Sequence, residues 1–189
     1  MNQADILERL KMGDNAVFAD IVNLWQDMVY NTALGIVQNE EDAEDITQEV
    51  FVQVYESIGD FREEAKLSTW LYRITISKSL DMEKKKQRQK RGGLLKRIFE
   101  PTEAEVPVSF DHPGVKLDNK ENAAALFNAI RKLPEKQRLA FVLQKLESLS
   151  NEEIGAVLQM SVVAVDSLLA RARTNLKSIL KGYYEKNLK

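Results

Sequence analysis

The stretch Leu149-Ser150-Asn151-Glu152-Glu153-Ile154 decides the fold of this chain. Ser150 and Glu153 have the spacing of a capping box, in which each side chain accepts a hydrogen bond from the backbone amide of the other residue at a helix N-terminus. Ser161 can cap a second helix only a few residues later. Two capped helices this close together predict a helix-turn-helix. The second helix, predicted over residues 162–177, is the one that lies in the DNA major groove in such motifs.

Upstream of this motif, Leu133-Pro134-Glu135 begins another predicted helix, because proline is tolerated in the first turn of a helix. Before it, a segment without helical periodicity contains three of the four prolines, Pro101, Pro107 and Pro113. We therefore predict a flexible linker over residues 98–118. It divides the chain into a first domain at residues 1–97 and a second domain at residues 119–189.

The first domain carries apolar side chains at helical spacing over residues 15–38, 41–58 and 69–91, which predicts three helices. The second of these has one apolar stripe and one acidic face. Ser68 is placed to cap the third helix. No pair of alternating apolar runs is joined by a hairpin turn, so strands are not required. The sequence therefore predicts an all-α fold of two small helical domains.

The composition excludes several classes of function. The chain has 189 residues, no cysteine and a single histidine, His112. Disulfides, thiolate metal sites, cysteine nucleophiles and multi-histidine metal centres are thereby excluded, and we expect no metal and no cofactor. The absence of cysteine fits a reducing compartment, and no stretch approaches the roughly 20 apolar residues that span a bilayer. We expect a soluble cytoplasmic protein without membrane insertion.

Charge is unevenly distributed along the first domain, although the net charge is only −2. Residues 40–64 are rich in acids, with Arg62 as the single base, whereas residues 84–97 contain bases and no acid. Blocks of opposite sign suggest two different partners, one basic and one anionic. The alternative is that each block is simply a solvated face.

Three landmarks resemble the extracytoplasmic-function sigma factors and occur in the same order. They are the acidic stretch from Asp42 to Phe51, the stretch from Ser68 to Ile74 that reads Ser-Thr-Trp-Leu-Tyr-Arg-Ile, and the capped helix-turn-helix after Leu133-Pro134. The resemblance covers most of the chain. It implies a bacterial initiation subunit that binds core RNA polymerase and promoter DNA, with no catalytic residues of its own. It also implies an inhibitory anti-sigma factor, which is often tethered to a membrane.

The acidic face of the second helix matches the surface that the family uses for basic helices of the polymerase. Carboxylates pair strongly and selectively with arginine. The resemblance therefore assigns polymerase binding to Asp42, Asp45, Gln48 and Glu49.

The resemblance assigns capture of the promoter's minus-ten element to the third helix, the loop before it and the following basic block. Aromatic rings and guanidinium groups can stack on unstacked bases while lysines hold phosphates. Trp70 can equally be a core residue, and Ser77 replaces an asparagine that many members carry. The candidate residues are Phe61, Lys66, Ser68, Thr69, Trp70, Arg73, Ser77, Lys78, Lys84, Lys85 and Arg88.

The resemblance assigns the minus-thirty-five element to the second helix of the helix-turn-helix. Many members place basic residues along this helix, but this chain has Asp166, which cannot hold a phosphate and can accept from a cytosine amino group. Phosphate anchoring is therefore expected from Arg171, Arg173 and Lys177. The candidates nearer the groove are Ser161, Val163, Ala164, Asp166 and Ser167.

Two other functions fit parts of the sequence. Glu40-Glu41-Asp42-Ala43-Glu44 has the form of a magnesium-binding element of all-α nucleotide pyrophosphohydrolases, in which a metal activates water. Such a site needs a second carboxylate pair, which we do not find in the first domain, and it would leave the helix-turn-helix unexplained. A closer rival is a two-domain DNA-binding regulator that does not associate with polymerase.

Overall fold

The computed structural model describes residues 8–10, 12–61, 65–94 and 120–187, and these contain helices and turns but no strand. The all-α prediction is confirmed. The predicted linker at residues 98–118 lies outside the described residues, as does His112. A 3₁₀ turn covers Ile58–Asp60 between α2 and α3. The helices are α1 (Asn15–Val37), α2 (Glu40–Ser57), α3 (Leu67–Leu94), α4 (Lys120–Arg131), α5 (Glu135–Lys145), α6 (Asn151–Leu158) and α7 (Val162–Asn187).

Helices α1 and α2 have clear local boundaries. The Asp14 carboxylate accepts hydrogen bonds from the amides of Ala16 and Val17 and caps α1. The helix ends at Val37, and its C-cap residue Gln38 has a left-handed backbone with φ 54°. The Asn39 side chain then accepts from the Asp42 amide and caps α2. A left-handed residue followed by a new cap turns the chain sharply, so α2 folds back against α1.

The core of the first domain lies where α1, α2 and α3 meet. The apolar stripes predicted from the periodicity face one another there, and their central side chains are almost completely buried. Each buried aliphatic side chain stabilises the fold by about 1.5–3 kcal/mol relative to an exposed one. These side chains include Val17, Ile21, Val29, Ile46, Val50, Val54 and Leu71.

Helix α3 differs from the prediction at both ends. It begins at Leu67, so Ser68 lies in its first turn and is not the capping residue. Leu67 is buried with 6% of its surface exposed, and its burial starts the helix earlier than the capping pattern indicates. The helix continues to Leu94, three residues beyond the predicted end. Its C-terminal half carries the basic block, in which Lys84, Lys85, Lys86 and Arg88 are exposed.

The helix-turn-helix is confirmed in its local detail. The Ser150 hydroxyl accepts from the Glu153 amide, and the Glu153 carboxylate accepts from the Ser150 amide. Helix α6 is followed by the left-handed C-cap residue Gln159, with φ 55°, and the Ser161 hydroxyl accepts from the Ala164 amide at the start of α7. A Cβ atom on Gly155 would lie 2.8 Å from the Met160 carbonyl oxygen, so the tight turn requires glycine there. Helix α7 extends to Asn187, ten residues beyond its predicted end.

The two predicted domains pack against each other. Helix α3 contacts α6, and α1 contacts α5, so buried side chains of both halves join in one apolar core. The Gln38 side-chain amide donates to the Phe127 carbonyl across this junction at 2.9 Å. The domain boundaries themselves stay a prediction.

Within the described ranges, no single helix combines the length and the apolarity needed to cross a membrane. Helices α6 and α7 meet those criteria only as a pair, through Gly182, bent by 102° at the intervening turn.

Candidate functional surfaces

The exposed side of α2 carries most of the predicted polymerase-binding residues. Asp45, Gln48 and Glu49 are solvent-exposed and line one open groove with Val52, which is 57% exposed. Lys78 from α3 borders the same groove, and its ammonium group lies 3.3 Å from the Glu49 carboxylate. A half-exposed pair of this kind contributes about 0–1 kcal/mol, so Glu49 can exchange this partner for another base.

Asp42 departs from the predicted acidic face. Its side chain is only 11% exposed, and its carboxylate lies 2.5 Å from the Lys86 ammonium group. The first turn of α2 packs beside the C-terminal half of α3, which turns Asp42 inward toward the basic block. Asp42 therefore joins two helices, and the predicted polymerase-binding residues that stay exposed are Asp45, Gln48 and Glu49.

The predicted minus-ten residues at the start of α3 are mostly packed. Phe61 is 6% exposed, and its ring centroid lies 5.0 Å from that of the half-buried Trp70. Thr69 is buried as well, with 8% of its surface exposed. An aromatic pair at this distance stabilises local packing. The structure thus places Phe61 and Thr69 in the core, while Trp70 presents part of its ring to solvent.

Arg73 contacts the second domain. Its guanidinium group donates to the carbonyls of Ala156 at 2.7 Å and Val157 at 3.3 Å. Both carbonyls belong to the last turn of α6, where backbone acceptors lack helical partners and the helix dipole favours a cation. Nearby, the Lys66 ammonium group lies 3.9 Å from the Glu153 carboxylate. Two predicted minus-ten residues are therefore partners of the helix-turn-helix in this arrangement.

The remaining minus-ten candidates lie along the rest of α3. Ser68 and Lys78 are partly exposed, and Lys84 forms a surface pair with Asp81 at 3.5 Å. Ser68 lines the junction with the second domain, and the other candidates lie farther along α3. The exposed ones are Ser77, Lys84, Lys85 and Arg88.

A charged pair that the sequence analysis missed joins α3 to α5. The Arg138 guanidinium group donates to both carboxylate oxygens of Glu83, at 2.8 and 2.6 Å. Arg138 is 6% exposed, so this pair lies at the buried edge of the junction. Bidentate arginine–carboxylate pairs are strong and directional. Glu83 immediately precedes the basic block, but no local pattern connects it with a residue 55 positions away.

A buried carboxyl group lies at the same junction. The Tyr72 hydroxyl donates to the Glu147 carboxylate at 3.4 Å, across the two domains. Burial raises the pKa of Glu147 to about 7, against the opposing effect of hydrogen bonds from Thr32 and Tyr72. Burial, followed by the charge of Glu147, also raises the pKa of Tyr72. The junction therefore holds a carboxyl group that is largely protonated below neutral pH.

The outer surface of the helix-turn-helix presents most of the predicted minus-thirty-five residues to solvent. Val163 is 74% exposed, while Ala164 and Ser167 are partly exposed. The Ser167 hydroxyl donates to the Val163 carbonyl at 3.0 Å. Small side chains at these positions allow close approach of another surface. The exposed polar candidates are Ser161, Asp166, Arg171, Arg173 and Lys177.

Asp166 and Arg173 are linked through two amide side chains. Asp166 accepts from Asn151 at 2.5 Å, and Asn151 in turn accepts from Gln144 at 2.9 Å. The Gln144 carbonyl oxygen accepts from Arg173 at 3.4 Å. Asn151 and Gln144 were not predicted as site residues, because they lie on helices other than α7.

The carboxylates suggested for a magnesium site stand at the exposed start of α2. Glu40, Glu41 and Glu44 are solvent-exposed there. Among the residues that the structure describes, no three histidine, aspartate or glutamate side chains converge as a metal site would require.

Comparison with known proteins assigns both halves of the chain. Residues 21–89 match the family Sigma-70 region 2, and residues 123–176 match Sigma-70, region 4. The chain is 34% identical over 180 residues to the ECF RNA polymerase sigma factor SigW of Bacillus subtilis, covering 93% of this chain and 95% of that protein.

Two solved structures share the fold. CnrH, in complex with the cytosolic domain of CnrY, gives a TM-score of 0.66 at 23% identity over 94% of this chain and 96% of CnrH. RpoE of Bartonella quintana, in complex with the anti-sigma factor NepR, gives 0.64 at 21% identity over 87% and 96% of the two chains.

The exposed acidic face of α2 and the helix-turn-helix fall within the two matched regions, in the order expected from the sequence. Sigma factors of this family initiate transcription and are not enzymes. The chain is a member of the extracytoplasmic-function group of the sigma-70 family of bacterial RNA polymerase sigma factors.

Proposed function

We propose that the acidic face of α2, formed by Asp45, Gln48 and Glu49, binds core RNA polymerase. The observation that supports it most directly is the exposed apolar side chain of Val52 among these acids. An apolar contact surrounded by charges has the composition of a protein interface rather than of a solvated face. Asp42 contributes indirectly, by holding the start of α2 to Lys86 on α3.

Charge reversal tests this assignment. The double variant Asp45→Arg with Glu49→Arg is expected to abolish capture of core polymerase in a pull-down, because it places bases opposite a basic partner. The matched control is Asp20→Arg with Asp27→Arg, which reverses two exposed acids on α1. Polymerase capture that survives in the first variant contradicts the proposal and shows that another surface of the protein binds polymerase.

We further propose that α3 binds the minus-ten element of the promoter with its exposed side. Trp70 offers part of an aromatic face for stacking on a base, and the basic residues beyond Ser77 offer phosphate contacts. Phe61 and Thr69 support this surface from the core. Four further residues contribute to this surface once they are released from the contacts that they make here: Lys66, Ser68, Arg73 and Lys78. The exposed contacts are Ser77, Lys84, Lys85 and Arg88.

Arg73 sets a condition on this proposal. Its guanidinium group is occupied by the α6 carbonyls, and α6 covers the start of α3. A base or phosphate can reach Arg73 only after the second domain moves away. We propose that minus-ten binding through Arg73 requires the two domains to separate.

For the second domain we propose that α7 enters the major groove at the minus-thirty-five element. Its exposed N-terminal half carries small side chains and Asp166, which suits close contact with base edges. The exposed bases farther along α7 suit phosphates. The groove-facing residues are Ser161, Val163, Ala164, Asp166 and Ser167, and the anchoring residues are Arg171, Arg173 and Lys177.

We also propose that an anti-sigma factor, free or tethered to a membrane, binds this protein and keeps it inactive in the cytoplasm. The solved relative RpoE is bound to the anti-sigma factor NepR, and CnrH is bound to a cytosolic domain. Copurification from cells tests this proposal. A purified sigma factor that carries no protein other than polymerase subunits under non-inducing conditions contradicts it.

A further inference from the structure

Four side chains form one continuous line of hydrogen bonds across three helices of the second domain. The line, called here the polar chain, runs from Arg173 on α7 through Gln144 on α5 and Asn151 on α6 to Asp166 on α7. Its three bonds measure 3.4, 2.9 and 2.5 Å in that order. Asp166 and Arg173 are seven residues apart and therefore lie on the same side of α7, two turns from each other.

All donors of the polar chain point the same way. The guanidinium group of Arg173 can only donate and the carboxylate of Asp166 can only accept, so the two ends fix the direction. Gln144 and Asn151 each accept on the carbonyl oxygen and donate from the amide nitrogen. Hydrogen bonds aligned in this way polarise and strengthen one another. Both amide orientations are thus determined by the charges at the ends.

The polar chain fixes Asp166 relative to rigid structure. Asn151 is the first residue of α6 and lies within the Ser150–Glu153 capping box, whose two hydrogen bonds fix the start of this helix. Gln144 is partly buried on α5. Asp166 is solvent-exposed, and the bond from Asn151 uses one of its two carboxylate oxygens. A free aspartate would sample several rotamers, whereas this one presents an acceptor in one direction.

We infer that Asn151 and Gln144 are positioning residues for base recognition. They hold Asp166 so that its second carboxylate oxygen can accept from the exocyclic amino group of a cytosine in the major groove. This inference rests on the proposed function of α7 as the helix that reads the minus-thirty-five element. Neither positioning residue needs to touch DNA itself.

The first test removes the donor to Asp166. Asn151→Ala is expected to reduce discrimination at a single minus-thirty-five position about ten-fold, because the released carboxylate no longer presents a fixed acceptor. The salt dependence of binding should not change, because no phosphate contact is lost. The measurement is binding of the reconstituted holoenzyme to a library with every base at each minus-thirty-five position, at several salt concentrations. Glu152→Ala, at the exposed neighbouring position, is the matched control.

A second variant keeps the size and shape of the Gln144 side chain. Gln144→Glu replaces the donor to Asn151 by an acceptor, so the Asn151 amide must turn over to satisfy it. The carbonyl oxygen of Asn151 then faces Asp166 and repels it. We expect the same ten-fold loss of discrimination with an unchanged melting temperature. The double variants of Asp166→Ala with either change should be no worse than Asp166→Ala alone, as residues in one network are not additive.

The outcomes separate the inference from the proposed function. If Asp166→Ala leaves both the preferred sequence and the discrimination unchanged, α7 does not read bases through Asp166, and the proposed assignment of that residue is wrong. If Asp166→Ala relaxes the preference while Asn151→Ala and Gln144→Glu do not, the positioning inference is overturned and the proposed function stands. A base preference that is relaxed equally in all three variants supports the inference.

Discussion

The two surfaces assigned to promoter DNA differ in how much of each is already occupied by the chain itself. On α3, Arg73 and Lys66 contact the second domain, and Thr69 is buried. On α7, all of the polar candidates except Ser167 are exposed, and the contacts that they make lie within their own domain. The first surface therefore depends on how the two domains are arranged, whereas the second is presented in the arrangement described here.

The strongest test of this contrast removes the buried pair that joins the domains. Arg138→Ala leaves the carboxylate of Glu83 without its bidentate partner, and breaking a buried pair in this way costs about 3–5 kcal/mol. The domains should separate. Because the chain has no cysteine, dyes can be attached at Asn23→Cys and Ser178→Cys, two exposed positions in the two domains, and energy transfer between them should fall.

Two further variants control this experiment. Lys136→Ala changes an exposed residue on the same helix and should leave energy transfer unchanged. Glu83→Leu combined with Arg138→Leu removes both charges and should restore most of it, because no uncompensated charge is left. Unchanged energy transfer in Arg138→Ala would show that the pair does not hold the domains together.

The second test uses pH. The pKa of Glu147 is about 7 in the packed arrangement and about 4.5 when the residue is exposed to water, so packing takes up a proton between these values. The stabilisation of domain packing that comes from this proton uptake is fully present below pH 4.5 and is lost as pH rises through 7. The loss amounts to about 2 kcal/mol, after a reduction for partial exposure. Energy transfer between the same dyes should decrease over this range.

The groups that face Glu147 do not reproduce this dependence. Burial keeps Tyr72 neutral across the range by raising its pKa, Thr32 does not titrate, and the capping hydrogen bonds lower the pKa of Glu153. Glu147→Gln should therefore give energy transfer that is high and independent of pH between 4.5 and 8. A variant that retains the full pH dependence would show that another group is responsible.

The third test concerns Arg73 alone. Arg73→Ala removes two charge-assisted hydrogen bonds to the end of α6, one of them exposed, which should weaken packing of the domains by about 1 kcal/mol. Energy transfer should fall slightly, whereas Arg88→Ala, at an exposed position farther along α3, should not change it. If Arg73→Ala leaves the dyes unaffected but reduces promoter binding, Arg73 acts only on DNA.

The sequence predicts those features that depend on residues close together in the chain. The caps at Ser150 and Ser161 and the limits of α1 depend on residues within one turn of each other, so spacing alone predicts them. The end of α7 was missed because its apolar pattern continues past the region that the motif describes. Helix α3 begins early because Leu67 is buried, which is a tertiary effect.

Contacts between distant residues could not be predicted in this way. The periodicity of α2 places Asp42 on the acidic side, but its partner Lys86 lies 44 positions away and turns it inward. Arg73 is 83 positions from Ala156. The family resemblance assigns Asp42 to polymerase binding and Arg73 to the minus-ten element. Only the packed structure reveals that both residues have partners within the chain. Gln144 on α5 and Asn151 on α6 were not predicted as site residues for the same reason.

The smallest expected effect separates anchoring from recognition on α7. Arg171→Ala should remove one phosphate contact, lowering the slope of log affinity against log salt by roughly 0.9 without changing the order of preferred promoters. Lys177→Ala, at another exposed position, should behave in the same way. Arg173→Ala should lower the slope and also relax the base preference slightly, because Arg173 ends the polar chain that leads to Asp166. Holoenzyme binding to a small promoter library at several salt concentrations measures both quantities. A changed base preference with Arg171→Ala, or an unchanged one with Arg173→Ala, would contradict this division between phosphate contacts and the polar chain.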